Sequence, residues 1–245
     1  MKYLMFLLTF LLLLSCSNEQ IVNPVLSPID NATTGVKSKI FYPSLESTQI
    51  LSTEEFEYNN QDQLLRKIYY GDTKEMVYHY ELFNYDNDGK LINKLNYHNN
   101  VNSPTGFILL DSTVYLYSEN FLTTEEITYP YSNIFTSYSY IYDGKNLVKK
   151  TKYHNDALES YSTFEYKNGN LSKEITYDKN SIVIESKEYK YTNLHLAEIV
   201  IYSSTDEAKR KIQYSYNGSG KIVLEEVDEL LIYSSSLPYV VKYVY

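Results

Sequence analysis

The side chains best suited to acid–base chemistry are four histidines and three groups of carboxylates. The histidines are His79, His98, His154 and His195, and the carboxylate groups are Glu54, Glu55 and Glu57; Glu125 and Glu126; and Glu225, Glu226, Asp228 and Glu229. Two carboxylates held at a fixed separation can hydrolyse a glycosidic bond. These acids mostly alternate with apolar positions or fall between strands, so we expect a solvated face. We predict no enzymatic activity, with a carboxylate-dependent hydrolase as an alternative.

Metal chemistry has little support in the sequence. Asp86-Asn87-Asp88-Gly89 resembles the start of a calcium-binding EF-hand loop, but the twelfth position, which needs a bidentate glutamate, is Tyr97. His98 and His154 each stand in a Tyr-His-Asn sequence that we interpret as a loop. The histidines do not have the His-Glu-x-x-His spacing of zinc hydrolases. We therefore predict a tight turn at Asp86 and neither a metal site nor a cofactor.

The N-terminus carries the clearest chemical signal of the chain. Lys2 precedes an apolar run from Leu4 to Leu14, which is shorter than the roughly 20 residues of a spanning helix and is typical of a signal peptide. Cys16, the one cysteine of the chain, follows a small residue at the end of this run. Leu13-Leu14-Ser15-Cys16 resembles the lipobox of bacterial lipoproteins. That resemblance implies cleavage before Cys16 and attachment of lipid to its sulfur.

The predicted organisation has three parts. Residues 1–15 are the lipoprotein signal peptide, residues 16–36 a flexible tether rich in Asn, Ser and Thr, and residues 37–245 a single repeat domain. An Asp directly after the lipidated cysteine resembles an inner-membrane retention signal, and this chain has Ser17 at that position. We therefore expect a cell-envelope protein on the outer membrane, on either its periplasmic or its surface face.

The net charge of −9 argues against nucleic acid as a partner.

An internal repeat runs through the rest of the chain. An aromatic-x-Tyr pair is followed five or six residues later by Leu or Ile. The copies are Phe56 and Tyr58 with Leu64; Phe83 and Tyr85 with Leu91; Tyr115 and Tyr117 with Leu122; Tyr140 and Tyr142 with Leu147; Phe164 and Tyr166 with Leu171; Tyr189 and Tyr191 with Leu196; and Tyr214 and Tyr216 with Ile222. An unfinished eighth copy, Tyr243 and Tyr245, ends the sequence.

Each copy predicts one β-hairpin. Turn-forming residues such as Gly89 separate the pair from its leucine, and the flanking runs alternate with period two. By strict alternation Leu171, Ile175 and Tyr177 share one apolar face, with Glu174 on the other. We therefore predict an all-β fold, an antiparallel meander of about fifteen strands curled into a barrel-like or coiled single sheet, because its apolar face needs cover.

One copy carries a family resemblance. Tyr85-Asp86-Asn87-Asp88-Gly89-Lys90-Leu91 resembles the Tyr-Asp repeat of Rhs-type bacterial surface proteins, and Tyr216 to Ile222 is a looser version. The resemblance covers roughly residues 51–226 and implies a coiled β-sheet shell. The short chain and its tyrosine-rich composition are also similar to small repeat lipoproteins of Bacteroidota.

These observations favour a lipid-anchored envelope protein that acts as a scaffold or interaction surface for a surface polymer or a protein. A first alternative is glycan binding, because rows of tyrosine can stack against sugar rings. A second is a transmembrane β-barrel. Its lipid-facing positions would include Arg66, Lys149, Lys173 and Glu198, of which each basic residue costs about 2 to 4 kcal/mol near the bilayer midplane.

Overall fold

A computed structural model describes residues 35–230 and 237–245. The predicted signal peptide, Cys16 and residues 17–34 of the predicted tether lie outside the described residues. Within these two ranges, sixteen antiparallel strands follow one another around a closed barrel. The predicted all-β meander is confirmed, and the sheet closes on itself. In the described ranges, no helix is long and apolar enough to cross a membrane.

Most strands have seven to twelve residues, and each pairs with its neighbours along the chain. They are β1 (Ser38–Tyr42), β2 (Ser52–Tyr58), β3 (Leu64–Tyr70), β4 (Val77–Tyr85), β5 (Leu91–Asn99), β6 (Phe107–Ser118), β7 (Phe121–Thr128), β8 (Phe135–Asp143), β9 (Asn146–His154), β10 (Ala157–Lys167), β11 (Asn170–Asp178), β12 (Val183–Thr192), β13 (His195–Ser203), β14 (Ala208–Tyr216), β15 (Ile222–Glu229) and β16 (Tyr239–Val244). Each aromatic-x-Tyr pair lies at the end of an even-numbered strand. The next odd-numbered strand carries the leucine at or near its start.

The two ends of the chain complete the eighth copy together. β1 pairs with β16, with Ser38 opposite Val244 and Lys39 opposite Tyr243. Val36 is 1% exposed and packs with Val241 and Tyr243, so it takes the place that Leu or Ile holds in the other seven copies. The barrel therefore includes Val36, one residue before the predicted start of the domain. We call the contact between β1 and β16 the seam.

The turns between pair and leucine are built in two ways. In the turn at Asp86, Oδ1 accepts hydrogen bonds from the backbone N–H of Asp88 and Lys90, at 3.0 and 2.8 Å. The shorter turn at Asn168 and Gly169 uses positive φ angles of 54° and 81°, as two-residue hairpins require. The Asp86 segment is thus the tight turn that the sequence predicts, since its first carboxylate is occupied by the turn itself.

One feature of the strands corrects the predicted faces. In most copies an extra residue after the leucine forms a β-bulge: Leu171 pairs with Tyr166, but Lys173 pairs with Glu165 and Glu174 with Phe164. A bulge of one residue moves all later side chains to the other face. Ile175 and Tyr177 consequently lie on the other face of the sheet from Leu171. Glu174 lies beside Phe164, on the same face as Leu171. The predicted division into an apolar and a polar face is wrong beyond the bulge.

Candidate binding face of the barrel

The eight aromatic-x-Tyr pairs share one face of the sheet, which we call the aromatic face. Towards the tight turns this face is well packed, because Leu122, Leu196 and Ile222 are at most 2% exposed. Neighbouring positions on the opposite face stay open, with Leu116 45% and Ile141 53% exposed. The repeat residues predicted from sequence therefore form packed clusters at this end of the barrel, around Leu122 and Leu147, around Leu196, and around Ile222 and Val36.

The second tyrosine of the pair ties neighbouring hairpins together. Its hydroxyl donates a hydrogen bond to the carbonyl of the leucine position in the preceding copy. This bond joins Tyr85 to Leu64 (3.0 Å), Tyr142 to Leu122 (3.1 Å), Tyr166 to Leu147 (3.1 Å), Tyr216 to Leu196 (2.7 Å) and Tyr245 to Ile222 (2.8 Å). These tyrosines thus have a structural role, since each satisfies a backbone carbonyl on the neighbouring hairpin.

A ring of mostly charged residues runs around the aromatic face, three residues after each leucine position. We call it the charge belt, and it consists of Lys39, Lys67, Lys94, Glu125, Lys150, Glu174, Ile199 and Glu225. Each member pairs across the strands with the first aromatic residue of its copy, as Lys150 does with Tyr140. The belt results from the bulge, because strict alternation would place these residues on the opposite face.

Several charged members of the belt have a partner on the same face. Lys67 contacts Glu54 at 3.1 Å and Lys94 contacts Glu81 at 3.1 Å. Glu174 accepts a hydrogen bond from Tyr189 at 3.0 Å and contacts Lys187 at 3.2 Å. The Tyr243 hydroxyl donates to Glu225 at 2.7 Å. These carboxylates therefore form ion pairs or accept hydrogen bonds from tyrosine hydroxyls.

Glu125, Tyr140 and Lys150 differ from this pattern, and we call them the β7–β9 cluster. Glu125 is 8% and Tyr140 6% exposed. The Lys150 ammonium lies over the rings of Tyr138 and Tyr140, 4.3 and 5.3 Å from their centroids. Burial lowers the pKa of Lys150. Burial, and then the nearby Glu125 carboxylate, raise the pKa of Tyr140. The cluster therefore holds two charged groups in a poorly hydrated place.

The hydroxyl of Tyr140 is buried and has no hydrogen-bond partner of ordinary geometry among the described residues. We expect Tyr140→Phe to leave the free energy of unfolding unchanged or to raise it by up to about 1 kcal/mol, because no hydrogen bond of ordinary geometry is lost. Tyr142→Phe should lower it by about 1 kcal/mol, because Tyr142 donates to the Leu122 carbonyl. Urea unfolding of both variants measures the difference. Equal destabilisation would show that Tyr140 has a partner.

The histidines and acids singled out in the sequence take other places than expected. His98 lies within β5 and pairs with His79 on β4, with ring centroids 5.9 Å apart, so its predicted loop position is wrong. His154 likewise ends β9 rather than lying in a loop. The Glu125 side chain is buried on the aromatic face, which corrects the solvated face predicted for it. Burial lowers the pKa of His79.

Comparison with solved structures identifies the fold. A porin-like protein from Bacteroides uniformis is similar with a TM-score of 0.55 and 12% identity, over 86% of this chain and 98% of that one. A porin-like protein from Bacteroides vulgatus has a TM-score of 0.35 and 13% identity, over 86% and 98%. A TcdB2-TccC3 structure has a TM-score of 0.23 and 12% identity, over 75% and 12%. The first likeness supports the barrel fold alone.

No protein-family model matches this sequence. A search of curated proteins also found no match.

Proposed function

We propose that the protein is a lipid-anchored envelope protein whose barrel lies outside the bilayer and acts as a non-enzymatic interaction scaffold. The observation that carries this proposal is that both faces of the barrel wall are charged. Lys39, Lys67, Lys94 and Lys150 stand on the aromatic face, as members of the charge belt. Arg66, Lys149, Lys173 and Glu198 stand on the opposite face, each two residues after a leucine position.

A spanning barrel would have to expose one of these faces to lipid. Each Lys or Arg near the bilayer midplane costs about 2 to 4 kcal/mol, so three or four of them would cost roughly 6 to 16 kcal/mol. That is comparable with the entire stability of a typical domain, about 5 to 15 kcal/mol. The wall is therefore better suited to water on both sides, and a lipid on Cys16 would supply the membrane attachment.

The non-enzymatic part of the proposal is supported by the interactions of three carboxylates on the aromatic face. Glu54 contacts Lys67, Glu174 contacts Lys187, and Glu225 accepts a hydrogen bond from Tyr243. A hydrolase with two carboxylates needs one free to protonate the leaving group and the other free to attack or to activate water. Carboxylates that form ion pairs or accept hydrogen bonds from tyrosine hydroxyls are better explained as parts of a scaffold.

Membrane fractionation tests the anchor. The full chain should sediment with membranes and resist a carbonate wash, and Ser17→Ala should behave in the same way. Cys16→Ala should remain unprocessed. A chain whose residues 1–16 are exchanged for an ordinary cleavable secretion signal should appear in the soluble fraction. If this folded, unlipidated chain stays in carbonate-washed membranes, the barrel spans the bilayer and the proposal is wrong.

A further inference from the structure

The repeats provide an internal comparison for the lysines of the charge belt. Lys67 and Lys94 each contact a glutamate that stands two residues before the first aromatic residue of the preceding strand, Glu54 and Glu81. In the copy of Lys150 this position is Tyr138, and the ammonium lies over its ring instead. Within the described residues Lys150 has no carboxylate oxygen within 4.0 Å. The copy therefore retains the lysine and lacks its ion partner.

Glu125 is the complementary case on the neighbouring strand. It pairs with Tyr115 on one side and Tyr138 on the other, and it is 8% exposed. In the described part of the chain it forms no ion pair within 4.0 Å. The buried Tyr140 hydroxyl lies close to Glu125 without a hydrogen bond of ordinary geometry, and this carboxylate contributes to the raised pKa of Tyr140. An acceptor, a donor and a hydroxyl are thus concentrated on three adjacent strands, and within the described residues no ion pair within 4.0 Å and no hydrogen bond of ordinary geometry joins them.

Buried charges without partners are unfavourable, and they persist mainly where something else satisfies them. The β7–β9 cluster contains one carboxylate and one ammonium, so it suits a ligand that has no net charge but both donates and accepts hydrogen bonds. Neighbouring hydroxyls of a sugar meet this need, because one can donate to Glu125 while another accepts from Lys150. The ring of Tyr138, over which the Lys150 ammonium lies, adds an aromatic surface next to these groups.

We infer that the β7–β9 cluster is a binding site for a neutral carbohydrate, with Glu125 and Lys150 holding its hydroxyls. This inference rests on the proposed interaction role and is independent of how the protein is attached to the membrane. Lys150 is half-buried, so part of its side chain remains accessible to a ligand, whereas Glu125 and Tyr140 lie beneath the surface.

Saturation-transfer NMR and calorimetry on the detergent-solubilised full chain test the site. The carbohydrate probes are maltohexaose, cellohexaose, mannohexaose and xylohexaose. Glutamine, a small zwitterion, is the probe that is not a carbohydrate. We expect at least one hexasaccharide to bind. Lys150→Met and Glu125→Gln should each weaken binding at least tenfold. Lys67→Met is the matched control, because Lys67 holds the same repeat position with an ion partner, and it should leave binding unchanged.

Three results would overturn the inference. They are an absence of binding by every hexasaccharide, binding of glutamine alone, and an equal loss of affinity in Lys67→Met and Lys150→Met. Thermal unfolding of each variant shows whether it is folded. If Lys150→Met does not fold, Glu125→Gln provides the decisive comparison. None of these results bears on membrane fractionation, so failure of the carbohydrate site is distinguishable from failure of the proposed anchor.

Discussion

Raising the pH from 9 to 12 should unfold the barrel in one cooperative step. Burial raises the pKa of many tyrosines on the aromatic face, and with nearby carboxylates it raises that of Tyr117 to about 12. Burial and neighbouring tyrosines raise the pKa of Tyr191 to about 12. Others raised in the same direction are Tyr58, Tyr85, Tyr115, Tyr138, Tyr142, Tyr166, Tyr189, Tyr214, Tyr216, Tyr239 and Tyr243.

The direction follows from proton linkage. Above pH 10 the unfolded chain has released its tyrosine protons, while the folded barrel still holds them, so stability is complete below about pH 10 and falls as the pH rises. At pH 11, Tyr117 and Tyr191 each withdraw about 1 kcal/mol after allowance for solvent screening. The remaining buried tyrosines add to this loss, and a typical domain has only about 5 to 15 kcal/mol of stability.

Absorbance at 295 nm and far-UV circular dichroism, recorded together, measure this transition. Both signals should change at the same pH. Tyr117→Phe should move the midpoint upward, because it removes one linked proton, whereas Tyr131→Phe should not, because Tyr131 is 74% exposed. Smooth titration near pH 10 with unchanged circular dichroism would contradict the expectation.

Val36→Asp should open the seam. Val36 is 1% exposed and packs against Val241 and Tyr243, so a carboxylate at this position would be buried without a partner. We expect the free energy of unfolding to fall by about 3 to 5 kcal/mol, the range measured when one partner of a buried charge pair is removed. Urea unfolding followed by circular dichroism gives the value.

Val244→Asp is the matched control for the seam. Val244 lies on β16, opposite Ser38, but it is 43% exposed and its side chain can remain hydrated. Its substitution should cost less than about 1 kcal/mol, as is usual at exposed positions. Equal effects of the two substitutions would mean that Val36 does not occupy the leucine position of an eighth copy.

The hairpins could be predicted from sequence because their determinants are local. An aromatic-x-Tyr pair, a turn and a leucine lie within about ten residues, and each signal is repeated. The face of the outgoing strand could not be derived in this way, because the bulge after Leu171 depends on pairing with β10. The recurrence of charge three residues after most leucine positions was the available signal, since Lys67, Lys94 and Lys150 share it.

Closure of the barrel was only partly accessible from sequence. An apolar face in need of cover predicts that the sheet curls, but not which strands meet. The eighth pair, Tyr243 and Tyr245, had no leucine after it. Val36, three residues before Lys39, has the spacing of the other copies and supplies the missing residue from the opposite end of the chain. The repeat pattern identifies Val36 if the spacing is continued from the last residues of the sequence to the first residues of the barrel.

The seam also determines when the barrel can finish folding. Seven hairpins join residues close in sequence and can form as soon as their segments emerge, whereas the eighth joins Val36 to Tyr243 across about two hundred positions. Such distant contacts form late, because the chain between them must first be ordered. During synthesis the segment around Val36 therefore remains unpaired, with its apolar side chains exposed, until Tyr243 has emerged.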